Sequence, residues 1–154
     1  ERPSRFSDGS TGVWYCGDRF EVALAETAYH FARFMAATQE PPADAQYREL
    51  QAPIAGRLHD LRGQDFPGQG FADTLDPNAW SAGQRLGTAL KASGSDGIVY
   101  RSVRYEGEAA ALFYPDLVKL PVTQGRTLQY HWDGARMTRY FVIGEVEWSA
   151  WPPG

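Results

Sequence analysis

A carboxylate interrupts an apolar helical run: Glu26 stands inside Phe20-Glu-Val-Ala-Leu-Ala-Glu-Thr-Ala-Tyr-His-Phe-Ala-Arg-Phe-Met35. Glu26, His30 and Arg33 are spaced i, i+4 and i+7, which places all three on one face of a helix. Burying a charge without partners is costly, so an acid in that company needs a reason. The plain reading is a solvated stripe, in which a Glu–His pair contributes only about 0.2–0.5 kcal/mol. Three more residues stand where chemistry can be done. Arg5 lies in a loop before the first strand, Tyr15 lies in that strand, and Ser102 follows the apolar run Gly97-Ile-Val-Tyr-Arg101. A guanidinium fork holds a phosphate-type anion, a phenol ring stacks on a flat ring, and a hydroxyl bonds an amide or orients a carboxylate. Each also has a structural reading: Arg5 as a loop cation, Tyr15 as a core ring, Ser102 as a strand terminator and His30 as a pair partner of Glu26.

The elements that must position these residues follow from capping and patterning. Asp18 can accept the first free backbone N–H groups of a helix, with Glu21 three residues on as in a capping box. The helix runs from Phe20 to Met35 and ends near Thr38, because Pro41-Pro42 cannot continue it. A short strand, Val13–Cys16, feeds it after a polar, Gly/Ser-rich loop from Arg2 to Gly12. Tyr47–Ala52 and Arg57–Leu61 are candidate strands separated by Pro53 and Gly56, and Gly63–Gly70 reads as a loop. Asp76-Pro77 reads as the N-cap and first turn of a second helix, Asn78–Ala92, closed near Gly94. Gly97–Arg101, Glu108–Phe113, Thr127–Trp132 and Arg139–Glu147 are strand-like, and Trp148–Gly154 reads as a tail. Helices early and strands late predict a compact α+β domain over residues 1–154, with helices flanking antiparallel sheet.

Composition removes several function classes. The 154 residues carry a net charge of −4, which argues against the basic face that nucleic-acid binding needs. No apolar run approaches the roughly 20 residues of a membrane helix. Cys16 is the one cysteine, so there is no internal disulfide and no Cys-based zinc site; it reads as inert packing. His30, His59 and His131 are scattered without ligand spacing, so no metal is expected. Neither Gly-x-x-x-x-Gly-Lys, nor Gly-x-Gly-x-x-Gly after a strand, nor Gly-x-Ser-x-Gly is present. These features suit the cytoplasm.

In this order, Arg5-Phe-Ser, Val13-Trp-Tyr, Leu24-Ala-Glu-Thr-Ala and Asp96-Gly-Ile-Val-Tyr-Arg-Ser-Val-Arg104 resemble the RES-domain toxins, named for their Arg, Glu and Ser. The resemblance runs from Arg5 to about Tyr114 and includes Leu86-Gly-Thr-Ala-Leu in the second helix; Arg101 departs from it, standing where many members carry Pro. It implies a fold similar to bacterial mono-ADP-ribosyltransferases, NAD+ as substrate, and a toxin paired with an Xre-like antitoxin that blocks its site. The acceptor of ADP-ribose would be a host protein, water or phosphate.

The residues suit that chemistry. Cleaving a nicotinamide–ribose bond passes through an oxocarbenium-like ribose, which a fixed carboxylate stabilises more than it stabilises the ground state. Glu26 and Ser102 are therefore the expected catalytic residues. Arg5 would hold the pyrophosphate, Tyr15 would stack on a ring, and His30 would bind phosphate or ribose or keep Glu26 ionised. Two other classes remain as alternatives: a non-catalytic binding module of the same fold, and a nucleic-acid-targeting toxin, which the acidic balance disfavours.

Overall fold

The computed structural model describes residues 3–63, 72–76, 79–143 and 149–150. In chain order the elements are β1 (Trp14–Gly17), α1 (Phe20–Thr38), β2 (Ala43–Gln51), β3 (Leu58–Asp60), α2 (Ser81–Ala92), β4 (Gly97–Arg101), β5 (Glu108–Leu112), β6 (Thr123–Trp132), β7 (Met137–Val142) and β8 (Ser149–Ala150). Short 3-10 turns lie at Ala72–Leu75 and Pro115–Leu117. The fold is α+β, as the patterning predicts. Two compact units form: Glu1–Ala23 with Ile54–Lys119, and Leu24–Pro53 with Leu120–Gly154.

The first unit is built on a sheet of order β1-β5-β4-β3, antiparallel except for the parallel β3–β4 pair. β5 carries Ala109-Ala110-Ala111, residues of high helix propensity, yet it forms a strand because both its faces are covered. On one face Ala109 and Ala111 join Phe6, Val22, Ile98, Tyr100 and Phe113. On the other, Ala110 and Leu112 meet Leu117, with Cys16, Leu58 and Val118 around them. Small side chains in the middle strand let layers approach from both sides. Helix α2 ends at Ala92 and is closed off by Gly94, whose φ of +82° suits a residue without Cβ, with the Ser95 N–H donating back to the Leu90 carbonyl at 3.0 Å.

The second unit is an antiparallel sheet of order β2-β6-β7-β8 with the greater part of α1 on its inner face. β2 alternates: Ala43, Ala45 and Tyr47 are half-buried, whereas Asp44, Gln46 and Arg48 are exposed. Tyr47 stacks on Tyr130 at 4.6 Å, and Phe31 of α1 meets both rings at 6.1 and 5.7 Å. Tyr130 and the Thr27 hydroxyl share a 2.7 Å hydrogen bond, and the Trp132 indole donates to the Glu40 carbonyl at 2.9 Å. An apolar helix stripe thus lands on an aromatic strand row, with the Tyr130 hydroxyl and the Trp132 indole N–H satisfied.

Several boundaries differ from the sequence expectation. β2 starts at Ala43, ahead of Tyr47, because small inward alanines do not read as a strand. α2 starts at Ser81 and not at Asn78. The Asp76 carboxylate accepts the Ala79 N–H at 3.2 Å, ahead of the helix; Pro77 and Asn78 lie outside the described residues. The Asp18 carboxylate ties β5 down, accepting the Glu108 N–H at 3.1 Å. Ser149–Ala150, read as tail, pairs with β7. The expected loop beyond Gly63 and residues 144–148 lie outside the described residues.

Candidate functional site

In the first unit, Arg5 is no surface cation: it is only 8% exposed. Its Nη1 donates to the Thr74 carbonyl at 3.3 Å and to the Asp76 carbonyl at 2.8 Å. The segment around it lies against α2. Cβ atoms added at Gly83 and Gly87 would collide with the carbonyl oxygens of Arg5 and Phe6, so a helix face of glycines is what admits this backbone. Gln84, between those glycines, donates from Nε2 to the Ser4 carbonyl at 3.1 Å. Phe6 then enters the core edge-on to Tyr100 at 5.2 Å.

Tyr15 sits half-buried in β1, its ring against the same core cluster. Its hydroxyl accepts the Phe6 N–H at 3.0 Å and lies 2.9 Å from the Ser4 hydroxyl. Ser102 directly follows β4, where its N–H donates to the Gly107 carbonyl at 2.9 Å and its hydroxyl accepts the Arg104 N–H at 3.2 Å. Those bonds place the serine in a bend at a strand end, as its sequence context implies. Arg104 lies past the end of β4 and is half-buried. Arg5 and Tyr15 are therefore brought together through Ser4 and Phe6.

In the second unit, Glu26 is half-buried on α1 and His30 and Arg33 are exposed. Tyr29 flanks this stripe: its ring meets His30 edge-on at 5.4 Å, and the Arg33 guanidinium lies 5.8 Å from its centre. Glu26 thus keeps partial access to solvent on a mostly apolar helix, without the cost of a fully buried charge.

Charge elsewhere has structural explanations. Arg62 reaches Asp60 and Glu108, both at 2.8 Å, and its hydrogen bonds hold the Asp60 carboxyl down at about 2. Burial pushes the Cys16 thiol up to about 11, in keeping with a packing role. Among the described residues no group of three His, Cys, Asp or Glu could hold a metal ion. None of the described helices is long and apolar enough to cross a membrane.

Sequence reasoning missed Gly83, Gln84 and Gly87. Glycines four apart on one helix face were the available signal, but in isolation they read as weakened helix propensity.

These features define an α+β protein with an arginine buried against a glycine-faced helix, a serine at a strand end and an acid on an apolar helix. The chain belongs to the RES domain family, whose model matches residues 1–133. The matched span contains Arg5, Tyr15, Glu26, His30 and Ser102. The RES domain is associated with NAD-utilising toxins. No curated protein matches the chain.

Proposed function

We propose that this chain is the toxin of a bacterial type II toxin–antitoxin pair and that it consumes NAD+ by transferring ADP-ribose. The observation that carries this reading is the RES domain match, which encloses all five residues to which chemistry assigns a role. The bond between nicotinamide nitrogen and ribose C1′ breaks with its electron pair going to nicotinamide, and an acceptor oxygen bonds C1′ and loses its proton.

Each residue is assigned by what its side chain can do. The Glu26 carboxylate stabilises positive charge as it develops on the ribose, a gain concentrated in the transition state. Arg5, already oriented by the Thr74 and Asp76 carbonyls, presents guanidinium charge to pyrophosphate. Ser102 bonds the carboxamide, and His30 contributes a donor to phosphate or ribose. No metal enters this scheme. An Xre-like protein is the partner expected to block the reaction, and the cytoplasm is where both NAD+ and such a partner are found.

The test is incubation of the purified chain with adenylate-labelled NAD+, with and without cell lysate. Released nicotinamide is the expected result. A discrete labelled protein band assigns the acceptor as protein, whereas free ADP-ribose or its phosphorylated form assigns it as water or phosphate. Glu26→Gln, which keeps shape and removes charge, should lower kcat at least about a hundredfold, roughly 3 kcal/mol of lost stabilisation. Intact NAD+ beside folded wild-type protein refutes the reading, and cleaved RNA or DNA would favour the nucleic-acid alternative.

A further inference from the structure

We infer that Tyr15 is a positioning residue for Arg5, acting through a hydroxyl that is bonded to both chain neighbours of that arginine. The inference rests on the reading that Arg5 meets the pyrophosphate of NAD+. A phenol in this family context suggests a ring that stacks on substrate, but the contacts of Tyr15 point elsewhere. Its ring packs against the core of the first unit. Its oxygen accepts the Phe6 N–H at 3.0 Å and shares a 2.9 Å bond with the Ser4 hydroxyl. A hydroxyl has one hydrogen and two lone pairs, so both bonds form at once whichever group donates to the other in the Ser4 pair.

Arg5 is thereby held at two levels. Tyr15 holds the Phe6 backbone N–H on one side of it and the Ser4 hydroxyl on the other, and the Ser4 N–H closes the same turn on the Ser7 carbonyl at 2.7 Å. The side chain is aimed by the Thr74 and Asp76 carbonyls. A flexible arginine loses rotamer and backbone freedom when it grips an anion, whereas one ordered beforehand loses little. The phenol oxygen therefore supplies preorganisation, which appears in substrate affinity and not in the bond-breaking step.

Tyr15→Phe separates ring from hydroxyl. Losing the bonds should raise KM for NAD+ about tenfold, the size of one well-formed hydrogen bond, with kcat within about twofold of wild type. The Phe6 amide, read by hydrogen exchange on the intact chain, should exchange faster. In an Arg5→Lys background, Tyr15→Phe should change KM by less than about twofold, because the residue it positions has lost its fork. An unchanged KM in Tyr15→Phe overturns the inference. So does the same tenfold effect in the Arg5→Lys background, which would mean that the hydroxyl touches substrate directly. Unchanged Phe6 exchange also overturns it, and this readout stands even where Arg5→Lys fails to fold. A wild-type chain inert toward NAD+ refutes the functional reading, while accelerated Phe6 exchange in Tyr15→Phe would still support the clamp.

Discussion

Replacing Gly87 by Ala sets helix propensity against steric fit. In an open helix the change is favourable, because alanine is the better helix former by about 0.8–1.0 kcal/mol. Gly87 is not in the open. The added Cβ would collide with the Phe6 carbonyl oxygen and stand 2.9 Å from its carbonyl carbon and 3.0 Å from its Cβ. These neighbours cannot swing aside as the tip of a lysine would. Phe6 is 2% exposed, and its backbone N–H is bonded to Tyr15. Overpacking against a fixed neighbour costs about 1–3 kcal/mol, and shifting Phe6 off Tyr100 adds lost core contact, so the steric side wins by about 1–2 kcal/mol. For a chain of this size each kcal/mol moves Tm by about 2–4 °C, giving an expected fall of about 2–8 °C in a calorimetric or circular-dichroism melt. Thr88→Ala, one residue on and exposed, is the control and should leave Tm unchanged or slightly raised. A Gly87→Ala protein that melts at or above wild type would refute the reasoning, because propensity would then outweigh a contact that is not as close as described.

Tyr130→Phe removes the 2.7 Å bond to Thr27 and should lower stability in urea by about 0.5–1.5 kcal/mol; no change would show that the bond contributes nothing net. Cys16 should react with a thiol probe far more slowly in the native chain than in urea at pH 8, because burial raises the thiol from 9.0 to about 11. The neutral thiol belongs to the fold, so its contribution is full below pH 9 and is lost as pH rises from 9 to about 11; equal labelling rates would contradict this. Arg62→Ala should return the Asp60 carboxyl from about 2 toward its ordinary 3.8, followed by NMR titration. That carboxylate contributes stability above pH 3.8 that is lost as pH falls toward 2, so the variant should show a shallower acid limb, and an unmoved titration would separate the two residues.

What could be read from sequence was whatever local chemistry decides. α1 runs from Phe20 to Thr38 because an apolar run with good propensity meets the proline pair at 41–42, and both signals are local. β4 spans Gly97–Arg101 as its short apolar run implies. Ser102 was placeable at a strand end for the same reason. Arg5 was not legible as a buried residue, because its partners Thr74 and Asp76 are distant in sequence and are reached through backbone carbonyls that no pattern encodes. Gly83 and Gly87 spoke only of a weak helix until the chain lying across them was known. The start of β2 was missed because Ala43 and Ala45 have little strand propensity and owe their conformation to pairing with Trp132 and Tyr130.

Ser4 and Arg5 are joined to residues translated much later. Ser4 meets Gln84 across 80 positions, and Arg5 meets Thr74 and Asp76 across 69 and 71. The Ser4–Gln84 bond cannot close until α2 has left the ribosome, those of Arg5 wait for the segment just before it, and the entropy of closing so large a loop slows all of them further. For a chain read as a toxin, this is a built-in delay: Arg5 reaches its working place only after the residues 69 and 71 positions further on have been made.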